Sequence, residues 1–486
     1  MQRVYEQPVE EKVKPPKLSG RIAVVTTQEA SQMNDTPQLA ETLDTMAAQL
    51  STLLNETIPD PADMSEMERV SREITVMLGR KVLESWLNQS EDEEPAREIR
   101  DENGEIADYV GKREGTMYTV LGKVKVKRAY YLYRARSGGI YPLDQRIGWR
   151  PNAMSAELER LSGLVGAQVP FGKGSALFEA LTLVSLSDHA LDKATQAYGQ
   201  EVVARENDWQ AQAANQDAML SRQRTARRPL RLYGSLDGTS VHTRGEPTDD
   251  PAQPDPWREL KIGAWFTTAS HPPRTPEEEW TIRAQDITYY TDICPATEFG
   301  ELLWATGVQQ NAHLARELII LGDGAAWIWR LVDQHFPHAI QIVDWFHATE
   351  YLPPVAAVAF KDPTQRQAWL AQVRTDLWEG RIDAVIAACT LHLNPAREND
   401  PAQAAVTYFS NNRHRMNYPT YRAQGYQIGS GSIESAAKQI GAQRMKVPGA
   451  RWNLSSARHV AKARAAFLSG QWDALATRRR KFVRIA

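Results

Sequence analysis

Three acidic residues lie where their carboxylates could act together on a phosphodiester. Asp237 follows a strand-like segment, LRLYGSL (230–236), and Asp323 follows a second, ELIILG (317–322). Glu434 lies in the first turn of a predicted helix, after the Gly- and Ser-rich loop 425–432. Ligands of an open α/β sheet collect beyond the carboxyl ends of its strands. If the two strands are neighbours, the aspartates meet in one cleft, and Glu434 can reach it from its helix.

Carboxylates clustered in this way suit two-metal phosphodiester chemistry. Two Mg²⁺ ions about 3.5–4 Å apart stabilise the attacking and leaving oxygens of an in-line displacement, and Mg²⁺ prefers oxygen ligands. The structural alternative is that Asp237 and Asp323 are turn residues, since each precedes a glycine. Glu434 would then be a first-turn acid that interacts with the helix dipole. The order of the three acids and their elements favours the metal site.

A second group, Asp344-Trp-Phe-His347, follows the last predicted strand, 339–343, and should lie at the same sheet edge. His347 could orient a phosphate, or Asp344 could fix a loop of the site. The alternative is a structural turn in which His347 caps the next helix. A zinc site is disfavoured because it would contain a single histidine. Loop 425–432 lacks the Walker A and Rossmann patterns, so its predicted task is to turn the backbone sharply before Glu434.

The elements that must position these residues alternate as in an α/β domain. Strands are predicted at 230–236, 258–267 and 284–293, followed by helix 297–314, strand 317–322, helix 325–335 and strand 339–343. The order β-β-β-α-β-α-β is that of a ribonuclease-H-like domain with a mixed sheet. Helices predicted across 347–416 interrupt this domain before the helix 433–443, and a basic helix follows at 452–468.

The part before residue 221 is predicted to be mainly helical with a small β-hairpin. Helices are expected at 37–56, 63–88, 154–168, 173–183 and 187–204, and strands across 115–133. The last two helices form a helix-turn-helix candidate, although short helical hairpins are also common structural units. The predicted domains are a flexible arm (1–36), a helical region with an acidic linker (37–110), a β-hairpin (111–150), a helix-turn-helix-like region (151–220), the first part of the catalytic core (221–347), an α-helical insertion (348–425), the last part of the core (426–470) and a basic tail (471–486).

Positive charge is concentrated locally, because the net charge of the 486-residue chain is only −3. Basic side chains on a strand, a linker and the C-terminal segment suit a DNA phosphate backbone. The alternative is that they form solvated faces. The predicted DNA-binding residues are Lys123, Lys125, Lys127, Arg222, Arg224, Arg227, Arg228, Arg444, Lys446, Arg458 and Lys462.

Composition excludes several other classes of protein. Two cysteines, Cys294 and Cys389, cannot by themselves form a zinc site or a disulfide framework. The first thirty residues show no signal peptide, and the longest apolar runs are far shorter than the roughly 20 residues of a membrane span. We therefore expect a cytoplasmic, nucleoid-associated protein without a membrane partner.

Four segments resemble the ISKra-type transposases of bacterial insertion sequences, distant relatives of the Mutator-like group. They are LDGTSVH (236–242), LGDGAAWIW (321–329), VDWFHATEYL (343–352) and GSGSIESAAKQIGAQRMKVPGARW (429–452). The resemblance covers roughly residues 115–470, and the last segment is the most specific. It implies a ribonuclease-H-like domain with a helical insertion, Asp-Asp-Glu catalysis, and insertion-sequence ends and target DNA as double-stranded substrates.

Carried over by motif, Asp237, Asp323 and Glu434 are the ligands of two Mg²⁺ ions, for which Mn²⁺ can substitute. Asp344 and His347 match an auxiliary pair, and Arg451 and Trp452 match the Arg-Trp after the glutamate helix. The resemblance also implies a dimer or larger assembly on paired DNA ends.

The sequence departs from the family at one place. Relatives often carry Cys-x-x-Cys ahead of the Gly-Gly and Pro-Leu-Asp stretches, and the matching positions here are Tyr133 and Arg136. A zinc-supported hairpin is therefore not expected, and aromatic packing should hold these strands. Two other functions stay open: a domesticated DNA-binding protein without catalysis, and a structure-specific nuclease without a joining step. The complete set of three acids argues against the first.

Overall fold

The structure is a computed structural model that describes residues 37–57, 63–89, 94–149, 153–244, 256–271, 281–429 and 431–485. The predicted arm, 1–36, and residues 91–93 of the acidic linker lie outside these ranges. The chain forms two compact units, residues 1–75 and 76–486. The first contains helix α1 (Pro37–Thr57) and the start of helix α2 (Met64–Gln89), as the apolar spacing predicted.

The second unit contains a four-stranded antiparallel sheet in the order β1-β2-β3-β4, with bounds Glu98–Arg100, Ile106–Thr119, Gly122–Tyr133 and Gly139–Ile140. The predicted small hairpin from 111 is therefore wrong in extent. Strand β2 is polar and contains two glycines, so its sequence shows no apolar alternation. On β3 the alternation is as predicted: Lys123, Lys125 and Lys127 are exposed, whereas Val124 and Val126 are buried.

Tyr133 and Arg136, at the positions matched to the cysteine pair, bind the turn that precedes β2. Tyr133 Oη donates to Asp101 Oδ2 at 3.0 Å, and Arg136 Nε donates to Glu105 Oε2 at 2.5 Å. The Arg136 guanidinium lies 3.7 Å from the centroid of the Tyr133 ring. Hydrogen bonds and a cation–π contact therefore connect the end of β3 and the residues after it to this turn.

Five helices lead to the central sheet: α3 (Pro142–Ile147), α4 (Ala156–Gln168), α5 (Phe171–Thr182), α6 (Asp188–Ala214) and α7 (Gln216–Thr225). Ser187 caps α6 by accepting a hydrogen bond from the Ala190 amide. The long helix α6 approaches the later helix that contains His459 very closely. A Cβ added to Gly199 would lie 2.1 Å from the His459 backbone oxygen. This contact requires glycine.

The central sheet is mixed, as predicted, with the order β7-β6-β5-β8-β9. Its strands are β5 (Arg231–His242), β6 (Trp257–His271), β7 (Thr281–Asp292), β8 (Glu317–Gly322) and β9 (Ile340–Val343). Strand β5 pairs antiparallel with β6 and parallel with β8, and β8 pairs parallel with β9. Residues 232–236 are all buried because helices cover both faces of this central strand. Helices α8 (Ala296–Gln309) and α9 (Ala326–His335) connect the strands.

Six helices separate β9 from the segment with Glu434: α10 (Trp345–Glu350), α11 (Leu352–Ala359), α12 (Pro363–Trp378), α13 (Ile382–Thr390), α14 (Pro401–Asn412) and α15 (Tyr418–Ala423). Helix α16 (Gly431–Ala436) follows and continues as a π-helix (Ala437–Met445). The sequence predicted one regular helix here. Helices α17 (Leu454–Leu468) and α18 (Trp472–Ile485) end the described chain.

The predicted basic tail is a docked helix. Trp472 of α18 is buried and stacks on Tyr198 with ring centroids 4.3 Å apart. Arg478 forms an ion pair with Asp208 at 2.7 Å, and Arg479 with Glu159 at 2.9 Å. Arg478 and Arg479 are therefore paired with acids of α6 and α4. No described helix combines the length and apolar character needed to cross a membrane.

Candidate active site

Three acids lie in a row at one edge of the central sheet. In the parallel pairing, Leu236 lies opposite Gly322, and Gly322 lies opposite Val343. Asp237 is the next residue of β5, which continues to His242, whereas Asp323 and Asp344 directly follow the ends of β8 and β9. The Asp344 amide donates to the Gly322 carbonyl at 2.8 Å, which fixes this register beyond the end of β9. The neighbouring strands on which the sequence prediction depended are therefore present.

Asp237 has a perturbed pKa. Burial, together with the negative charges of Asp323 and Glu434, raises the pKa of Asp237 to about 6, against the lowering effects of the Gly238 amide and His347. The Gly238 amide donates to Asp237 Oδ1 at 2.7 Å. The fold thus brings four of the predicted residues into one electrostatic neighbourhood.

A tight turn holds Asp323. Its Oδ1 accepts a hydrogen bond from the Ala325 amide at 2.8 Å, and Gly324 between them has a φ of +100°. A Cβ at Gly324 would lie 2.5 Å from the Tyr408 ring. Tyr408 Oη in turn donates to the Asp323 carbonyl at 2.8 Å. The insertion helix α14 therefore packs directly on the turn that presents Asp323.

Glu434 comes to the site on a helix that packs against β5. The neighbouring residues Ile433 and Ala436 are buried, and the Glu434 side chain is 31% exposed. Its carboxylate lies 3.9 Å from Lys438 Nζ. Farther along the π-helix, a Cβ added to Gly441 would lie 2.9 Å from Thr239 Cγ2, so this segment packs tightly beside Asp237. π-Helical segments are rare in proteins, and those that occur are frequently found at functional sites.

Asp344 and His347 have different tasks. Asp344 is fully buried and caps α10: its Oδ1 accepts from the His347 amide at 2.8 Å. The predicted alternative of a capped turn is therefore correct for this pair, but Asp344 is the cap and His347 is not. The His347 ring is partly exposed, lies 3.5 Å from Glu350 Oε2 and lowers the pKa of Asp237.

The chemistry of these side chains favours a metal ion at the site, but their arrangement does not form a complete metal site. Three carboxylates that act on one another electrostatically suit a divalent cation, which would relieve their repulsion. Within the described ranges, however, no group of three or more His, Cys, Asp and Glu side chains is close enough to hold a metal ion. The structure brings the acids to one neighbourhood without converging them on a single point.

The Arg451-Trp452 pair lies at the far end of β5. Trp452 is buried, its amide donates to the His242 carbonyl at 3.2 Å and its Nε1 donates to the Met445 carbonyl at 2.9 Å. Arg451 is exposed and, with Lys173 and Arg244, lines a cleft of about 670 Å³. Trp452 therefore anchors the segment, and Arg451 is a cation available to solvent.

Among the other basic residues predicted to contact DNA, one group is exposed: Lys123, Lys125, Lys127, Arg224, Arg227, Arg228 and Lys446. The second group is engaged inside the fold, and the prediction requires correction for it. Arg222 donates to the Val308 carbonyl at 2.8 Å, and Arg444 is 1% exposed and donates to the Gly166 carbonyl at 2.9 Å. Burial lowers the pKa of Arg444 to about 10.

Lys462 is buried in an ionic network that also includes Arg458, whose side chain is 40% exposed. Lys462 Nζ lies 2.5 Å from Glu206 Oε2 and 2.9 Å from Asp292 Oδ2, and its side chain is 0% exposed. Arg458 binds both oxygens of Asp292, at 2.6 and 2.8 Å. These cations connect α6, β7 and α17, so their charge is structural. These ion pairs could not be predicted from the sequence, because the acids precede the cations by more than 150 residues.

Sequence reasoning missed two aromatic residues beside Asp323. Tyr351 stacks on Tyr408 with ring centroids 3.8 Å apart, and Tyr408 binds the Asp323 carbonyl. Tyr351 lies within the segment VDWFHATEYL, where only Asp344 and His347 drew attention. Tyr408 lies in the insertion and carries no local signal.

No protein-family model matches this sequence, and no curated protein matches it. Among solved structures, the chain is similar to the Drosophila P element transposase strand transfer complex, at 11% identity and a TM-score of 0.22. That alignment covers 68% of this chain and 82% of the other. This structural similarity is too weak to indicate a function.

Proposed function

We propose that this chain is a DNA transposase of the Asp-Asp-Glu type, with a ribonuclease-H-like core and insertion-sequence ends as its substrate. The observation that carries the proposal is the environment of Asp237. At the edge of a mixed sheet, its pKa is raised by burial and by the charges of Asp323 and Glu434. The strand order and the helical insertion before Glu434 are also those of the proposed class. The four motif segments support an ISKra-type member.

In this proposal Asp237 and Asp323 hold divalent metal, and Glu434 joins them when metal and DNA are bound. Mg²⁺, or Mn²⁺ in its place, would activate the attacking oxygen and stabilise the leaving oxygen of the displaced phosphodiester. In this proposal, the fold orients the side chains of both aspartates for metal binding. The Gly238 and Ala325 amides orient one oxygen of each. His347 places a titratable imidazole beside the same acids.

The DNA partner is assigned from exposed positive charge. The lysines of β3, the arginines after α7 and Arg451 are available to phosphates. Double-stranded ends and target DNA are the proposed partners, and a dimer or larger assembly is the proposed form on paired ends. Phosphate contacts of this kind position DNA without reading its sequence.

The decisive assay uses a supercoiled plasmid that carries the terminal DNA flanking the gene, with Mg²⁺ and purified full-length protein. We expect nicking at the ends and joining of the new 3′-hydroxyl to a second plasmid. Asp237→Asn, Asp323→Asn and Glu434→Gln should each lose at least about a hundredfold in rate, since each removes a charged ligand. Asp217→Asn removes an exposed acid of α7 and is the matched control.

The possible results separate the competing functions. End binding without cleavage in Mg²⁺ or Mn²⁺ would establish a DNA-binding protein and refute the enzyme. Cleavage without joined products would establish a nuclease. Cleavage by Asp237→Asn at the parental rate would refute the assignment of the site.

A further inference from the structure

A large cleft opens directly beside Asp323, between the central domain and the helical insertion. Its volume is about 1110 Å³, and it extends from Gly324 and α9 on one side to the segment 393–415 on the other. Ligand pockets in proteins have volumes of about 300–1,000 Å³, so this cleft can admit a nucleotide. None of the proposed metal ligands lines it.

A pair of stacked tyrosines forms one wall of the cleft. The rings of Tyr351 and Tyr408 are nearly parallel, at 15°, with centroids 3.8 Å apart. Tyr408 is 7% exposed, whereas Tyr351 is 37% exposed. Tyr408 thus covers one face of the Tyr351 ring, and the exposure of Tyr351 leaves ring surface open to a ligand. A planar ligand could extend the stack from there.

The stack is coupled to the proposed catalytic acids. Tyr408 Oη donates to the Asp323 carbonyl, and the left-handed backbone of Gly324 allows the close approach of the Tyr408 ring. Tyr351 stacks on Tyr408, which in turn contacts the Asp323 backbone. A group that stacks on Tyr351 is therefore held at a fixed place relative to Asp323.

The remaining walls supply the polar groups that a nucleotide needs. Trp329 is 4% exposed, and its Nε1 is a buried donor without a hydrogen-bond acceptor in the described chain. Asn411 and Gln403 present exposed amides along α14, and Arg330 is an exposed cation on α9. Amides match base edges, and a guanidinium matches a phosphate.

We propose that this cleft binds an unpaired nucleotide of the DNA strand, with its base stacked on Tyr351. The proposal rests on the proposed function. A base inside a duplex is stacked on both faces and cannot extend the Tyr408–Tyr351 stack, whereas an unpaired or flipped base can. Tyr351 is then a positioning residue that places the nucleotide next to the phosphate at the acids. Arg330 would bind a neighbouring phosphate.

The test measures binding without divalent metal, so that no strand is cut. Full-length protein is titrated with a duplex that has a single-stranded 3′ extension with 2-aminopurine at its first unpaired position. A fully paired duplex is the comparison. For the parent we expect quenched 2-aminopurine fluorescence on binding. Tyr351→Ala should lose the quenching and bind the extended DNA about tenfold more weakly, with unchanged affinity for the paired duplex.

Two further variants separate stacking from folding. Tyr351→Phe keeps the ring and should behave as the parent. Tyr351→Leu keeps apolar bulk against Tyr408 but has no π face, so it should behave as Tyr351→Ala while melting near the parental temperature. Full quenching by Tyr351→Ala, or an equal loss for both DNAs, would overturn the proposal.

The same cleft chemistry could serve a free nucleotide, and a competition arm decides this. If 2-aminopurine nucleoside monophosphate is quenched at micromolar protein while the DNA extension is not, the occupant is a free nucleotide and the DNA proposal is wrong. Asp237→Asn should still quench the extension. A parent protein that quenches the extension but cleaves no DNA would refute the proposed function and leave this proposal standing, whereas cleavage without quenching would refute this proposal alone.

Discussion

Replacing Asp237 with asparagine should stabilise the metal-free protein, and the gain should grow with pH. The folded pKa of Asp237 is about 6, against a usual value of 3.8. Between these values the folded state keeps a proton that the unfolded state has lost, so the parent loses stability as pH rises through this window. Asparagine cannot ionise, and its amide oxygen can still accept from the Gly238 amide.

The size of the effect follows from the pKa difference. A difference of about two pKa units corresponds to about 3 kcal/mol, which should be the full gain of Asp237→Asn at pH 8. At pH 4 the same calculation leaves about 0.5 kcal/mol, because the aspartate is largely protonated in the fold and partly so in the unfolded chain. Metal reverses the order, since only the parent is stabilised by binding it.

Urea unfolding followed by tryptophan fluorescence, in EDTA at both pH values, measures this difference. The exposed Asp217→Asn is the control and should change stability by less than about 0.5 kcal/mol at either pH. A gain for Asp237→Asn that is absent, or equal at pH 4 and pH 8, would refute the reasoning. It would mean that Asp237 is well solvated and distant from the other two carboxylates.

Three further predictions concern other parts of the fold. Lys462→Met should lower the free energy of unfolding by about 3–5 kcal/mol, because it leaves Glu206 buried without its cation, and equal urea midpoints would contradict this. Arg451→Ala should weaken binding to all duplex sequences and reduce the salt slope of log K by about 1 in anisotropy titrations; an unchanged slope would exclude a phosphate contact. Gly324→Ala should cost more than about 1 kcal/mol in thermal unfolding, given its φ of +100° and the Tyr408 ring at 2.5 Å, and an unchanged melting temperature would show that the turn relaxes freely.

The sequence predicted the elements of the central domain closely because their signals are local. Strand β8 ends at Gly322, as its apolar run indicated, and α9 and β9 begin within one residue of their predicted starts. Asp323 could be found because it follows the end of an apolar strand, whereas Asp237 lies inside β5, which continues beyond its predicted end at 236. The change to a π-helix after Ala436 could not, since it depends on packing against Thr239, roughly two hundred residues earlier in the chain.

The failures concern charge and long-range contacts. Lys462 and Arg444 were predicted to belong to a basic surface because no acidic residue is close to them in the sequence. In the structure they are buried against residues of α6 and α4. Asp344 was interpreted as part of an auxiliary pair that could fix a loop of the site, and in the structure it caps α10. Tyr351 was overlooked because its partner Tyr408 comes from another helix of the insertion. Contacts between residues far apart in the chain decide such roles, through burial, ion pairing and aromatic stacking. The periodicity of the sequence does not reveal these contacts.

The most direct test of the central claim is to locate the metal. Crystals of the full-length protein with end DNA, soaked in Mn²⁺ and measured at the manganese edge, should show anomalous density between the carboxylates of Asp237 and Asp323. The Glu434 carboxylate should lie within ligand distance, about 2.0–2.3 Å, of the same density. Anomalous density elsewhere, or an empty edge with DNA bound, would contradict the assignment of these three acids as one metal-binding catalytic site.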